Sequence, residues 1–299
     1  MTTHSQVAGN KAKTYVIMFF FVAFVSFFFY LIGKNLGDSS FYLAFGLIFS
    51  LVSSVGSYFY SDKLVLAMSG AKPADKKTYF DLYTVTENMA IAAGVPMPRV
   101  YIIEDSAMNA FATGRDPQHA VVVATTGILS KLNRAELEGV IAHELSHIKN
   151  YDIRLMAVVA VLVGTVVFVA DWITRSFMWG GMRDSDDDSA SGKASFILFI
   201  IFLFVTPIIA TLIQLAVSRR REYLADASGA LLNRNPDALA DALLKISGDS
   251  KILAKASNAT AHLFIENPFK KDSKKTNFVA GLFSTHPPVD ERIRLLREM

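Results

Sequence analysis

The sequence predicts a mostly helical α+β protein in which four membrane-spanning helices carry one soluble domain with a small β-sheet. Three observations predict it. Four long stretches lack charge, 52% of the 299 residues are hydrophobic with a positive mean hydropathy, and the charged remainder reads as helices with short strands among them. The 23 phenylalanines exceed what a soluble chain of this length needs for a core. A formal net charge of +3, with no basic cluster interleaved with aromatics, argues against a nucleic-acid partner. Cysteine is absent, so disulfides and thiolate metal sites are excluded, and any metal would be held by histidine and carboxylate.

The first segment (1–61) holds two of the charge-free stretches, Thr14 to Gly33 and Ser39 to Ser61. Each meets the roughly 20 apolar residues that a helix needs to cross a bilayer core of about 30 Å. The first is too long for the apolar part of a signal peptide, and Gly33-Lys34-Asn35 offers no small-x-small cleavage site, so it reads as a retained anchor. Residues 62–154 then begin the soluble domain. Asp75 to Ala93 reads as helix, ended by Gly94-Val-Pro-Met-Pro98. Arg99 to Ile103, Asn109 to Thr113 and Ala120 to Thr126 read as strands. Asn133, with Glu136 three residues on, has the form of a capping box opening the next helix.

Residues 155–218 read as a transmembrane hairpin. Its first arm, Leu155 to Ala170, extends through Trp172 and Ile173 if Asp171 lies at the interface, and its second runs from Ala194 to Ser218, where Pro207 reads as a kink. The acidic, Ser- and Gly-containing loop of 175–193 between the arms reads as a solvated connection. Residues 219–299 complete the soluble domain, with short helices at Ala238 to Ile246 and Glu291 to Glu298. Lys11, Lys13, Lys63, Lys72, Lys76, Lys77, Lys149, Arg154 and Arg219 to Arg221 flank the spans on one side, and the acidic run of 184–188 lies on the other. The positive-inside bias therefore places both termini and the soluble domain in the cytoplasm, most simply at a bacterial inner membrane, with an organellar membrane as the alternative.

The chemistry sits at His143-Glu144-Leu145-Ser146-His147. Side chains four apart on a helix share a face, so both imidazoles can reach one metal, and the intervening glutamate can take a proton from water bound there. Leu137, Val140, Ile141, Leu145 and Ile148 form an apolar stripe, with the two histidines beside it and Glu144 within it. A carboxylate on such a face is costly unless it is paired or lines a cleft. Two histidines leave a catalytic zinc one protein ligand short. Glu222, just past the last span, supplies a third, and Asp226, four residues on, can orient a ligand histidine through its other ring nitrogen. A histidine–histidine–glutamate set with an open position favours Zn2+, one per chain, over other divalent metals. Arg219 to Arg221 read as a membrane anchor.

With these motifs, the paired N-terminal spans, Asn109-Ala-Phe-Ala-Thr-Gly114, and Ser284-Thr-His-Pro-Pro288, the chain resembles the HtpX-like family of membrane zinc endopeptidases, relatives of the CAAX prenyl proteases. The resemblance covers nearly the whole chain. It implies a gluzincin-like fold, with His143, His147 and Glu222 as ligands and Glu144 as general base. It also implies that Asn109, Ala110, Phe111 and Ala112 form an edge strand on which an extended substrate pairs. By the same likeness, His286 and Arg292 would stabilise the oxyanion. Asp152 would stand behind a ligand, although a helix-end surface role fits the sequence nearly as well. His4, His119 and His262 match no motif. Four spans are too few for the large intramembrane chamber of a prenyl protease, so protein substrates in or near the lipid bilayer, as in quality control of damaged membrane proteins, fit better. Two rivals stand beside this reading. A membrane adaptor that binds zinc and holds proteins without cutting shares the ligands but has no use for Glu144 in the apolar stripe. A transporter would carry paired ionisable groups inside its spans, where this chain has only Asp171 near one end.

Overall fold

Runs of apolar residues set the first two helices, and a capping carboxylate and a left-handed glycine set where the second begins and ends. The computed structural model describes residues 3–180, 212, 218–257, 259–269 and 287–299. Helix α1 (Thr3–Leu36) turns at Gly37 into α2 (Ser39–Ser69). The Asp38 carboxylate accepts from Phe41 N at 3.0 Å to open α2, and Gly70, at φ 64, closes it in the left-handed conformation. Both helices exceed the charge-free stretches because their polar ends continue helically. Phe21, Val25, Phe28, Phe29 and Ile32 of α1 bury themselves, while Phe19, Phe20, Phe27, Phe41, Ile48 and Val52 remain exposed over two adjoining helices. An apolar surface of that kind suits lipid.

A two-residue strand β1 (Lys72–Pro73) and helix α3 (Phe80–Ala93) follow, then β2 (Arg99–Ile103), β3 (Ala110–Thr113) and β4 (Val121–Thr125). The sheet order is β1-β2-β4-β3, with β2 and β4 parallel and the outer pairs antiparallel. This leaves β3 at an edge. After the short α4 (Thr126–Lys131) comes α5 (Arg134–Lys149), opened by the capping box that the sequence predicts. Asn133 Oδ1 accepts from Glu136 N at 3.0 Å, and Glu136 Oε2 accepts from Asn133 N at 2.8 Å. Its apolar stripe of Leu137, Val140, Ile141, Leu145 and Ile148 packs into one core with Val100, Ile102 and Val122 of the sheet.

Tyr151, at φ 59, turns the chain into α6 (Asp152–Gly180). The helix runs on through Arg175 to Gly180, so the expected connecting loop begins later than the charge pattern suggests. Beyond the gap, α7 (Arg219–Asn233), α8 (Pro236–Ser247) and α9 (Val289–Arg297) complete the described elements. Leu239, Leu243 and Ile246 of α8 and Leu296 of α9 enter the same core as α5. Among the described residues three helices are long and apolar enough to cross a membrane, at Gln6–Lys34, Ser39–Ser69 and Asp152–Asp171. The expected span of 194–218 lies outside the described residues except for Leu212 and Ser218.

Candidate active site

Helices α5 and α7 meet so closely that only a residue without a side chain fits between them. A Cβ on Gly229 would sit 2.9 Å from His143 N and 3.1 Å from its Cα. Glu222, Ala225, Asp226 and Gly229 share the i, i+3, i+4, i+7 face of α7, and all are buried. The close approach delivers both carboxylates to the imidazoles of α5. His143 Nε2 and His147 Nε2 stand 3.2 Å apart. Glu222 Oε2 is 3.8 Å from the first and Oε1 is 3.6 Å from the second. The three ligand atoms lie within 4.8 Å of one another, and all three residues are buried.

The ring nitrogens on the far side are engaged. His143 Nδ1 lies 2.9 Å from Asp226 Oδ1, and His147 Nδ1 lies 3.0 Å from Asp152 Oδ2. Each imidazole thus offers Nε2 inward while a carboxylate fixes its tautomer and tilt. With Zn–N bonds of about 2.0–2.1 Å, a tetrahedral site has an N···N edge of roughly 3.3 Å, so the donor set fits zinc. Burial alone would lower the His147 pKa, but the Asp152 hydrogen bond and the Glu222 and Glu144 carboxylates outweigh it and raise it to about 9.

Glu144 is 2% exposed, among His143, His147 and Glu222. Burial pushes its carboxyl pKa up, against the pull of both histidines and of the Ala112 backbone N–H that binds it. That N–H ties the glutamate to the edge strand. Elsewhere on the same edge, Ala110 O accepts from Ile265 N at 2.9 Å, and Asn109 Nδ2 donates to Glu266 O at 3.0 Å. Phe111 turns inward and meets Phe264 edge-on, ring centroids 5.0 Å apart.

Arg292 is wholly buried, and its guanidinium is held by Asp226 and a backbone carbonyl. Its Nε and Nη2 grip Asp226 at 2.8 and 2.7 Å, and Nη1 donates to Ile265 O at 3.2 Å. Burial would raise the Asp226 pKa, but the Arg292 guanidinium overrides it and holds the carboxyl down at about 2. His286 lies outside the described residues. Arg221, read from the sequence as a membrane anchor, has Nη1 3.4 Å from Asp152 Oδ1. His262 Nε2–H donates to Met156 O of helix α6 at 3.0 Å, and His119 pairs with Asp116 on the surface. Sequence reasoning missed Gly229, whose signal was its place three residues after Asp226 on the carboxylate face.

An H-E-x-x-H helix joined by a buried glutamate from a second helix, on a chain with long apolar helices, defines an integral-membrane zinc endopeptidase. The chain belongs to Peptidase family M48, whose profile matches residues 77–299. It is 46% identical over 296 residues to a protease HtpX homolog of Tropheryma whipplei (strain Twist), covering 99% of this chain and 98% of that one. Its identity to the protease HtpX homolog of Dictyoglomus turgidum is 44% over 306 residues, covering 100% and 95% of the two chains. The crystal structure of S. mikatae Ste24p superposes with a TM-score of 0.50 at 15% identity, covering 98% of this chain and 66% of that one. That likeness is one of fold, and this chain spans only 66% of the Ste24p chain.

Proposed function

We propose that the chain cleaves peptide bonds in proteins at the membrane surface, with one zinc held by His143, His147 and Glu222 and with Glu144 as general base. The observation that carries this reading is the convergence of three buried donors, each imidazole braced from behind, on a face that also buries Glu144. Zinc bound there would polarise the scissile carbonyl and make water a competent nucleophile near neutral pH. Glu144 takes the proton of the attacking water and returns it to the leaving amine, a role suited to a carboxyl whose pKa is raised by burial. Ala112 N–H holds Glu144 against β3, so a substrate strand adding to that edge is brought to the base. Asn109 to Ala112 form the docking strand, with the segment at Ile265 and Glu266 bounding it at its first residues.

Arg292 acts by holding Asp226, and through it His143, since three of its five N–H groups go to Asp226 and Ile265 O. Stabilising the oxyanion falls to His286. Asp152 braces His147 in the same manner.

The charge bias of the flanks supports four spans, with the second arm of the hairpin at 194–218. It also supports cytoplasmic termini, a cytoplasmic domain built from residues 62–154 and 219–299, and a bacterial inner membrane. α6 starts three residues after Lys149, so the site sits where spans leave the bilayer. That position favours misfolded or damaged membrane proteins as substrates.

The test is zinc-dependent cleavage of an unfolded protein by the detergent-purified chain, wild type against Glu144→Ala. The variant should retain stoichiometric zinc while kcat falls by at least about 100-fold. Equal cleavage by the variant would remove Glu144 from the reaction.

A further inference from the structure

The apolar helix α1 reaches the metal centre through its polar N-terminal turns. Asn10 lies in the interior of that helix, a position where asparagine is a poor helix former, and it is only 5% exposed. Its Nδ2 donates to Asp152 Oδ1 at 2.7 Å and to Asn150 O at 3.0 Å. One residue on, Lys11 Nζ stands 4.2 Å from the centre of the Tyr151 ring. Asn10 and Lys11 thus clasp the turn between α5 and α6, a turn whose central residue takes a left-handed conformation that a tyrosine rarely adopts.

Asp152 is the pivot. Its Oδ2 faces His147 Nδ1 at 3.0 Å, while its Oδ1 is shared between Asn10 at 2.7 Å and Arg221 Nη1 at 3.4 Å. A carboxylate with one oxygen pinned keeps the other aimed. Without Asn10, Oδ1 would be left to the longer arginine contact, and Oδ2 would be free to rotate away from the imidazole.

We propose that Asn10 is a positioning residue for the metal site: it orients Asp152, which orients His147, and so couples the first membrane helix to zinc retention. The inference rests on His147 being a ligand. Carboxylates directly behind a metal-binding histidine typically matter by about 10–100-fold in metal affinity, and Asn10, one step further out, falls at the lower end.

The experiment uses the full-length chain in detergent and reads the zinc dissociation constant by competition with a chelator. Asn10→Leu keeps the side-chain volume and removes the donor. It should weaken zinc binding about tenfold, read at a temperature where the metal-stripped variant is fully folded. In an Asp152→Ala background the same substitution should do nothing further, because its route to His147 is already broken. His147→Ala separates the two claims. If it keeps wild-type zinc affinity, the ligand assignment fails. If it loses zinc while Asn10→Leu binds as wild type does, or if the Asn10 and Asp152 effects simply add, the positioning role is overturned. Asn10→Ser, too short to reach Asp152, repeats the cycle should the leucine variant not fold.

Discussion

Asp226 shows how much a single residue carries at this site. It sits between a guanidinium and an imidazole, accepting two hydrogen bonds from Arg292 while it contacts His143. Removing one partner of such a buried pair strands the other charge, at a cost of about 3–5 kcal/mol. Asp226→Asn should therefore lower both zinc affinity, by about 10–100-fold, and the stability of the metal-free protein. Arg292→Met should lose stability alongside zinc, whereas a residue acting only on the oxyanion would lose kcat alone. The pair also sets an acid limit. The Asp226 pKa in the folded chain is depressed to about 2 from an ordinary 3.8, so the folded state is the one that releases the proton more readily. Its stabilisation is complete above the unfolded value and is lost as pH falls from about 4 towards 2. Acid unfolding of the metal-stripped wild type should show this loss, and Asp226→Asn should flatten it. An unchanged acid profile in the variant would contradict the assignment.

Helices and strands were legible in proportion to how local their causes are. The α5 capping box depends on two residues three apart, and both of its hydrogen bonds form. The three strands of β2, β3 and β4 are each recognisable from their own composition and boundaries. Their order is not, because a parallel β2–β4 pair with β3 outside it is decided by packing on α5, and the two-residue β1 has no pattern of its own. The docking of α7 was equally hidden. Glu222 was legible as a needed third ligand, but the contact that delivers it depends on Gly229 meeting the backbone of His143. Gly229→Ala tests that element directly. The added methyl must push α7 back, at about 1–3 kcal/mol for overpacking, and zinc retention should fall with it. Gly56→Ala in α2, where a Cβ meets nothing within 4 Å, is the matched control and should leave zinc binding unchanged. Equal zinc affinity in both variants would mean that α7 is free to shift without moving Glu222.

At the scale of the whole molecule, composition alone separates apolar spans from a divided soluble region, yet no local pattern says how the two halves of that region are joined. The structure joins them at the metal donors: His143 and His147 precede the stretch of 155–218, and Glu222 follows it. A metal there ties α5 to α7 across a long stretch of sequence, so its binding energy is also energy of closure between the halves. Stripping the metal should then act unevenly. The α1–α2 hairpin has its own apolar packing, including Phe29 against Phe45 and Phe49, and owes nothing there to zinc. α7 and α9 meet the rest through Glu222, Asp226 and Arg292 at the site, along with Ala230, Val289 and Leu296 in the core. Hydrogen exchange on the detergent-purified protein should accordingly speed up in 219–233 and 289–297 when a chelator is added, and restoring zinc should slow it again. The bilayer-facing stretch of 17–32 should exchange at the same rate in both states. Acceleration spread evenly over the chain would mean that the metal stabilises a single cooperative unit, and no acceleration in α7 would mean that Glu222 does not bind it.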